Sequence, residues 1–159
     1  MSAAGVTTPE LRLARPADVP HIERMLTAEW LPPFQITEFL PTFWVLERGA
    51  DVLGAAGLEI YGEAGFIRSV VVDPVLRGTG QGERLVQRAL EEAKARGVKR
   101  LYLFTLSAAP FFARFGFEPC RMDDFEEAVR QSWQFIALSE RPEIAQRLIP
   151  MRALNVAHQ

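Results

Sequence analysis

A chain of 159 residues that is 48% apolar and has 11 glycines and 11 prolines is long enough, and ordinary enough in composition, for one domain with a full core. Its formal charge of −2 argues against a surface that grips nucleic-acid phosphates. One cysteine, Cys120, rules out an internal disulfide or a thiolate cluster, and His21 and His158 stand too far apart for metal spacing, so no metal is expected.

Residues 1–8 are small and polar and read as a loose tail, with a single domain over 9–159. Residues 11–14 alternate around Arg12 and read as a short strand. Asp18 is placed to cap a helix that carries Ile22, Met25 and Leu26 and runs to about Trp30. Pro32 and Pro33 interrupt it, and a short helix is expected over 36–40. Residues 42–47 read as a strand, 49–51 as its turn, and 52–60 as the next strand, thinned by Gly54 and Gly57. A turn over 61–65 leads into a strand over 66–72, which completes an antiparallel meander.

The chain is organised around residues 68–97, which begin R-S-V-V-V-D-P-V-L-R-G-T-G-Q-G-E-R-L. Three consecutive valines favour a buried strand, and Pro74 ends it. Gly78, Gly80 and Gly82 allow a tight turn. The helix that follows has Leu85, Val86, Ala89, Leu90 and Ala93 on one face and Glu92 paired with Arg96, and it stops at Gly97. A strand, a glycine turn and a helix N-terminus suit an anion, and Arg77 adds a full positive charge. No Lys follows the glycines, as a P-loop requires, and Glu83 stands where a dinucleotide fingerprint needs its third glycine.

Residues 100–105 are apolar enough for a strand buried on both faces. It is expected to pair in parallel with the Val70–Val72 strand through a β-α-β crossover. A short helix over 109–115, a strand from Phe117 limited by Pro119, and an amphipathic stretch over 123–140 come next. Phe125, Val129, Trp133 and Ile136 are that stretch's expected buried side. A last strand over 147–154 would be confined by Pro150 to an edge or a bulge. The order β-α-α-β-β-β-α-β-α-β-α-β defines an α/β fold: a mixed, mostly antiparallel central sheet, helices on both faces, and one parallel crossover.

The pattern R-x-x-G-x-G on Arg77, Gly80 and Gly82, preceded by V-V-V-D-P, closely resembles the acetyl-CoA-binding motif of the GNAT superfamily of N-acetyltransferases. The element order resembles the GNAT fold along nearly the whole chain. The stretches G-L-E-I-Y-G, F-I-R-S-V-V-V-D-P, R-L-Y-L-F-T-L-S-A and F-F-A-R-F-G-F-E-P are similar to the arsenic-resistance N-acetyltransferase branch. That branch in turn resembles the acetyltransferase domain of N-acetylglutamate synthases. The likeness ends near Ser139-Glu140-Arg141-Pro142, where relatives usually carry Cys-Pro. One cysteine cannot bind trivalent arsenic through several thiolates.

The resemblance implies acetyl-CoA as cosubstrate, with its pyrophosphate on Arg77, Gly78, Thr79, Gly80, Gln81 and Gly82. The backbone of the Val70, Val71 and Val72 strand would pair with the pantetheine arm, and the Val72 N–H would face the oxyanion. Glu59 interrupts an apolar strand and is the candidate base, with a solvated residue near a strand end as the plainer reading. Arg68 suits a substrate carboxylate or an ion pair with Glu59, and Tyr61 has the same two readings. Thr105 and Ser107 could bond the cofactor or position a water, or Ser107 could cap the next helix.

Many superfamily members have a tyrosine where Phe112 stands, placed to protonate the leaving thiolate. The arsenic-resistance branch also carries Phe there, so Phe112 is expected to pack on the cofactor. Trp30 and Phe34 would cap the acceptor pocket or pack on the core. Cys120 reads as a small buried apolar residue, and Glu63 and His21 as surface residues. The expectation is a cytoplasmic monomer or homodimer, without nucleic-acid or membrane partners, that acetylates a small amine, amino-acid-like ones included, by direct attack in a ternary complex. The alternative is an acetyl-CoA sensor without turnover.

Overall fold

The computed structural model describes residues 7–156. Most of the expected tail, and His158, lie outside the described residues. The strands are β1 (Glu10–Leu13), β2 (Phe43–Arg48), β3 (Asp51–Tyr61), β4 (Ala64–Val72), β5 (Arg100–Thr105), β6 (Glu118–Pro119) and β7 (Ile149–Ala153). The helices are α1 (Val19–Ala28), α2 (Gln81–Ala95), α3 (Ala109–Ala113), α4 (Glu127–Arg130), α5 (Trp133–Ser139) and α6 (Pro142–Ala145). One mixed sheet runs β1-β2-β3-β4-β5-β7-β6. Its parallel pair is β4 with β5, as the crossover requires. The register, however, joins Ala64–Phe66 to Arg100–Tyr102 rather than starting from Val70–Val72.

Two compact units divide the chain. One takes residues up to Leu58 together with Ser69–Ala89; the other takes Glu59–Arg68 and residues from Leu90 onward. Strands β3 and β4 and helix α2 contribute to both.

In the first unit the pleat sorts the side chains of β2. Phe43 and Val45, with Ala55 and Val71, pack under Ile22 and Leu26 of α1. The alternate residues face the other way: Arg88 of α2 lies over the Trp44 ring at 5.1 Å. Gly54 and Gly57 do more than thin the strand. A Cβ on Gly57 would fall 2.3 Å from the Phe43 ring, and one on Gly54 would fall 2.8 Å from Leu46, so the glycines make room for those two side chains. Asp18 precedes α1 but gives it no side-chain cap. Its carboxylate is taken by Arg12, at 2.8 and 3.0 Å, and by the Arg15 N–H at 2.7 Å. A bidentate guanidinium is the stronger partner. The expected helix over 36–40 is a 3-10 turn, Thr37–Thr42.

In the second unit Ala64, Phe66 and Tyr102 pack under Phe125 and Val129, and Phe104 stacks on Phe125 at 5.0 Å. Glu126 takes both arms of Arg100, at 2.6 and 3.0 Å, and the Tyr102 hydroxyl at 2.7 Å. Burial, with the same carboxylate, pushes the Tyr102 phenol up to about 12. Trp133 and Ile136 are 37% and 47% exposed, contrary to expectation. The stretch breaks at Ser132, whose Oγ accepts from Phe135 N–H and starts α5 afresh. The break changes the helical phase, and Phe135 faces the core instead.

Strand β7 is internal, between β5 and β6, although Pro150 predicted an edge or a bulge. The Pro150 carbonyl accepts from Cys120 N–H on the β6 side. A strand residue points its nitrogen and carbonyl the same way, so the missing N–H faces the side where β6 is only two residues long. No bond to β5 is lost.

Candidate functional site

The glycine turn belongs to the first unit. Val71 is buried, while Val70 and Val72 are half-buried. Asp73 N–H donates to Leu53 O of β3 at 2.8 Å. Successive peptide groups of a strand point to opposite sides, so the polar groups of Val70 and Val72 face away from β3. Ser69, just before them, has φ +59. It is a left-handed residue inside a strand, an uncommon backbone for a residue other than glycine.

The turn then runs Pro74–Leu76 as a 3-10 helix, with Asp73 Oδ1 accepting from Val75 N–H at 2.9 Å. Gly78 and Gly80 have φ +79 and +82, and a Cβ on either would meet nothing within 4 Å. The bare backbone therefore opens outward. Gln81 and Gly82 lie in the first turn of α2, whose leading N–H groups lack helical partners. Thr79 is tied back to Leu76 O. The exposed Arg77 pairs with Glu29 and donates through Nε to Val72 O at 3.3 Å. An anion's ingredients are thus all present: open glycines, a helix N-terminus and an adjacent guanidinium.

Glu29 was not singled out from the sequence, although a signal existed. It ends α1, and a carboxylate at a helix C-terminus opposes the dipole unless a cation sits beside it. Trp30, the next residue, has φ +60 and is 89% exposed; Phe34 is 53% exposed. Leu31, between them, packs on the α1 core. The plainer reading, a loop packed on the core, therefore fails for Trp30.

The second unit brings Glu59, Tyr61 and Arg68 together. Glu59 and Tyr61 are two apart on β3, hence on one face. Arg68 Nη1 donates to Glu59 Oε2 at 2.9 Å, and the two side chains are 1% and 3% exposed. The Tyr61 hydroxyl donates to Glu59 Oε1. Both carboxylate oxygens are thus engaged, and the ion pair expected as one reading of Arg68 is present. Tyr61 is only half-buried. Burial, then Glu59, pushes its phenol well above its ordinary value. Thr105 is buried, and its Oγ1 accepts from Ala108 N–H at 3.0 Å. The helix-capping role anticipated for Ser107 is not taken: α3 has Ala108 at its N-cap and no side-chain cap, and Ser107 is exposed.

Phe112 is 6% exposed, with Phe111 and Phe117 at 5.0 and 6.0 Å in edge-on contact. Burial pushes the Cys120 thiol up to about 11, consistent with an inert side chain. Glu63 is exposed and pairs with Lys99 at 3.0 Å, and His21 is exposed beside Arg24. Among the described residues no group of three His, Cys, Asp or Glu is placed to hold a metal, and no helix is long and apolar enough to cross a membrane.

A strand, a glycine turn and a helix in this order, on a mixed sheet, make an α/β fold with an open anion-binding turn. Residues 10–117 match the model of the acetyltransferase (GNAT) family, and the chain belongs to that family of acyltransferases. It is similar to an amino-acid acetyltransferase of Mycobacterium tuberculosis, 32% identical over 137 residues, covering 77% of this chain and 78% of the relative. It is 29% identical over 133 residues to the amino-acid acetyltransferase of Neisseria meningitidis, covering 78% of this chain but only 30% of that longer protein. Among solved structures, Rv2747 of M. tuberculosis, in a complex that includes CoA, superposes with a TM-score of 0.78 at 27% identity over 92% of this chain and 99% of that one. N-acetylglutamate synthase of Neisseria gonorrhoeae shares the fold, with a TM-score of 0.75 at 20% identity over 94% of this chain and 35% of that one.

Proposed function

We propose that this protein transfers acetyl from acetyl-CoA to the amine of a small, amino-acid-like acceptor, by direct attack in a ternary complex. The observation that carries the reading is the open Gly78–Gly80 backbone at the N-terminus of α2 beside Arg77. The CoA complex of Rv2747 and the mycobacterial amino-acid acetyltransferase support cosubstrate and acceptor class in turn.

Acetyl-CoA supplies an activated thioester. The backbone over Arg77, Gly78, Thr79, Gly80, Gln81 and Gly82 holds the pyrophosphate, and Arg77 leaves Glu29 for it. Val70 and Val72 turn their peptide groups to the pantetheine arm, and Val72 N–H donates to the oxyanion. Glu59 is the final proton acceptor for the amine. Trp30 and Phe34 stand over the acceptor. Phe112 packs against the cosubstrate rather than protonating it. A thiolate of ordinary thiol pKa, about 8.5 for a cysteine-like group, departs without an acid, and Ser107 or water protonates it afterwards.

The test is thiol release from acetyl-CoA with a panel of α-amino acids and simple amines. Release that depends on an amino acid is expected. Tight CoA binding with no turnover on any amine would overturn the transfer reading in favour of a sensor.

A further inference from the structure

We propose that Tyr61 is the residue that meets the acceptor amine, and that its hydroxyl relays the amine's proton to Glu59. The proposal rests on the acetyl-transfer reading and names the path by which the base is reached.

Burial comes first. The Glu59 side chain is 3% exposed and that of Arg68 1%, so a small amine arriving from solvent reaches neither directly. Tyr61 is half-buried and spans the gap, with its ring against the Phe66–Tyr102 cluster and its hydroxyl on Glu59 Oε1.

Valence comes second. An ionised carboxylate only accepts hydrogen bonds, and here Oε2 accepts from Arg68 and Oε1 from Tyr61; the lone pairs left on those oxygens belong to a side chain only 3% exposed. The phenol oxygen has given its one proton to Glu59 and keeps its lone pairs. Tyr61 is the least buried of the three residues, so in this proposal its lone pairs are the ones an incoming amine meets. Burial and the Glu59 charge raise the phenol well above its ordinary range. Tyr61 therefore stays protonated at neutral pH, and its donation to Glu59 persists.

The transfer balances. As an N–H proton of the acceptor ammonium passes to Tyr61 Oη, the Tyr61 proton passes to Glu59 Oε1. One N–H and one O–H bond break and two O–H bonds form. The acceptor leaves as a neutral amine able to attack, Glu59 becomes neutral, Tyr61 is unchanged, and Arg68 keeps its charge. Net charge over the acceptor and the cluster is conserved.

The deciding experiment is Tyr61→Phe, which retains the ring and removes only the hydroxyl. CoA affinity by calorimetry should be unchanged. At neutral pH kcat should fall by roughly 10²–10⁴, the usual size of an acid–base contribution. The defect should shrink as pH approaches the acceptor's own pKa, where the amine arrives already neutral. Glu59→Gln should lose about as much, and the double variant no more than either alone, because both act on one proton path. If Glu59→Gln does not fold, the pH profile of Tyr61→Phe decides by itself.

Activity within tenfold of the parent would overturn the relay and leave acetyl transfer standing. A defect of the same size at every pH would also overturn it, making Tyr61 a positioning residue for Glu59. A parent protein that binds CoA but acetylates no amine would instead remove the transfer reading, and the relay with it.

Discussion

Replacing Arg68 by Met tests whether the buried pair has the energetic weight its geometry implies. Arg68 and Glu59 are 2.9 Å apart, with side chains 1% and 3% exposed, so solvent does little to screen either. The variant keeps most of the side-chain volume and removes the charge. Glu59 is then an internal carboxylate with the Tyr61 hydroxyl as its remaining cluster partner. Breaking one side of a buried pair costs about 3–5 kcal/mol. Unfolding entropy near 2.1 cal/mol/K per residue gives about 0.33 kcal/mol/K for a chain of 159 residues. The expected fall in Tm is therefore roughly 9–15 °C. The double variant Arg68→Met/Glu59→Leu removes both charges. It should regain most of the loss, short of about 1–3 kcal/mol for a Tyr61 hydroxyl left without its acceptor. Thermal melts and urea titrations of the parent, the single variant and the double variant measure this directly. A single variant that loses under about 1 kcal/mol, or a double variant no more stable than the single, would refute the claim that charge burial controls this cluster.

Gly80→Val should raise the dissociation constant for CoA at least about tenfold in calorimetry. A Cβ here meets no protein atom within 4 Å, so the branched side chain extends into the space proposed for the pyrophosphate, while the Gly80 φ of +82 adds strain of about 1–3 kcal/mol; unchanged affinity would remove the turn as the anion site. Asp18 is held below the usual carboxylate range, chiefly by its hydrogen bonds from Arg12 and then by the Arg15 N–H. Its stabilising contribution is therefore full above the unfolded value near pH 3.9 and is lost as pH falls through the lower folded value. Asp18→Asn should cost about 1.5–3 kcal/mol at pH 7 and almost nothing at the acid end. Urea titrations across that range would refute the assignment if the cost did not shrink.

What the sequence revealed and what it hid divide along physical lines. The valine strand, the glycine turn and the helix over 81–95 were legible because each depends on neighbours a few residues away. β-branching, positive-φ glycines and a 3.6-residue apolar period are local facts. The internal place of β7 was not legible, because Pro150 is harmless only through the shortness of β6, which lies far upstream in the chain. Asp18 misled for the same reason. A cap is a local rule, but Arg12 and Glu47 form a network across residues 12–47 that outbids it. Ser69 gave no warning of its left-handed backbone, since nothing in a serine before three valines demands φ above zero.

Glu59 shows how far such reasoning reaches. A carboxylate in an apolar strand can be a solvated end, a reactive base or half of an ion pair, and the strand alone does not choose among them. The choice needs Arg68, which closes on one carboxylate oxygen, and Tyr61, which closes on the other. With both in place the carboxylate is buried and bonded at each oxygen, and Tyr61 is the half-buried member of the three. The sequence named all three residues of the cluster. Only their burial sets Tyr61 apart as the least enclosed of them, which is the ground for proposing it as the residue the acceptor meets.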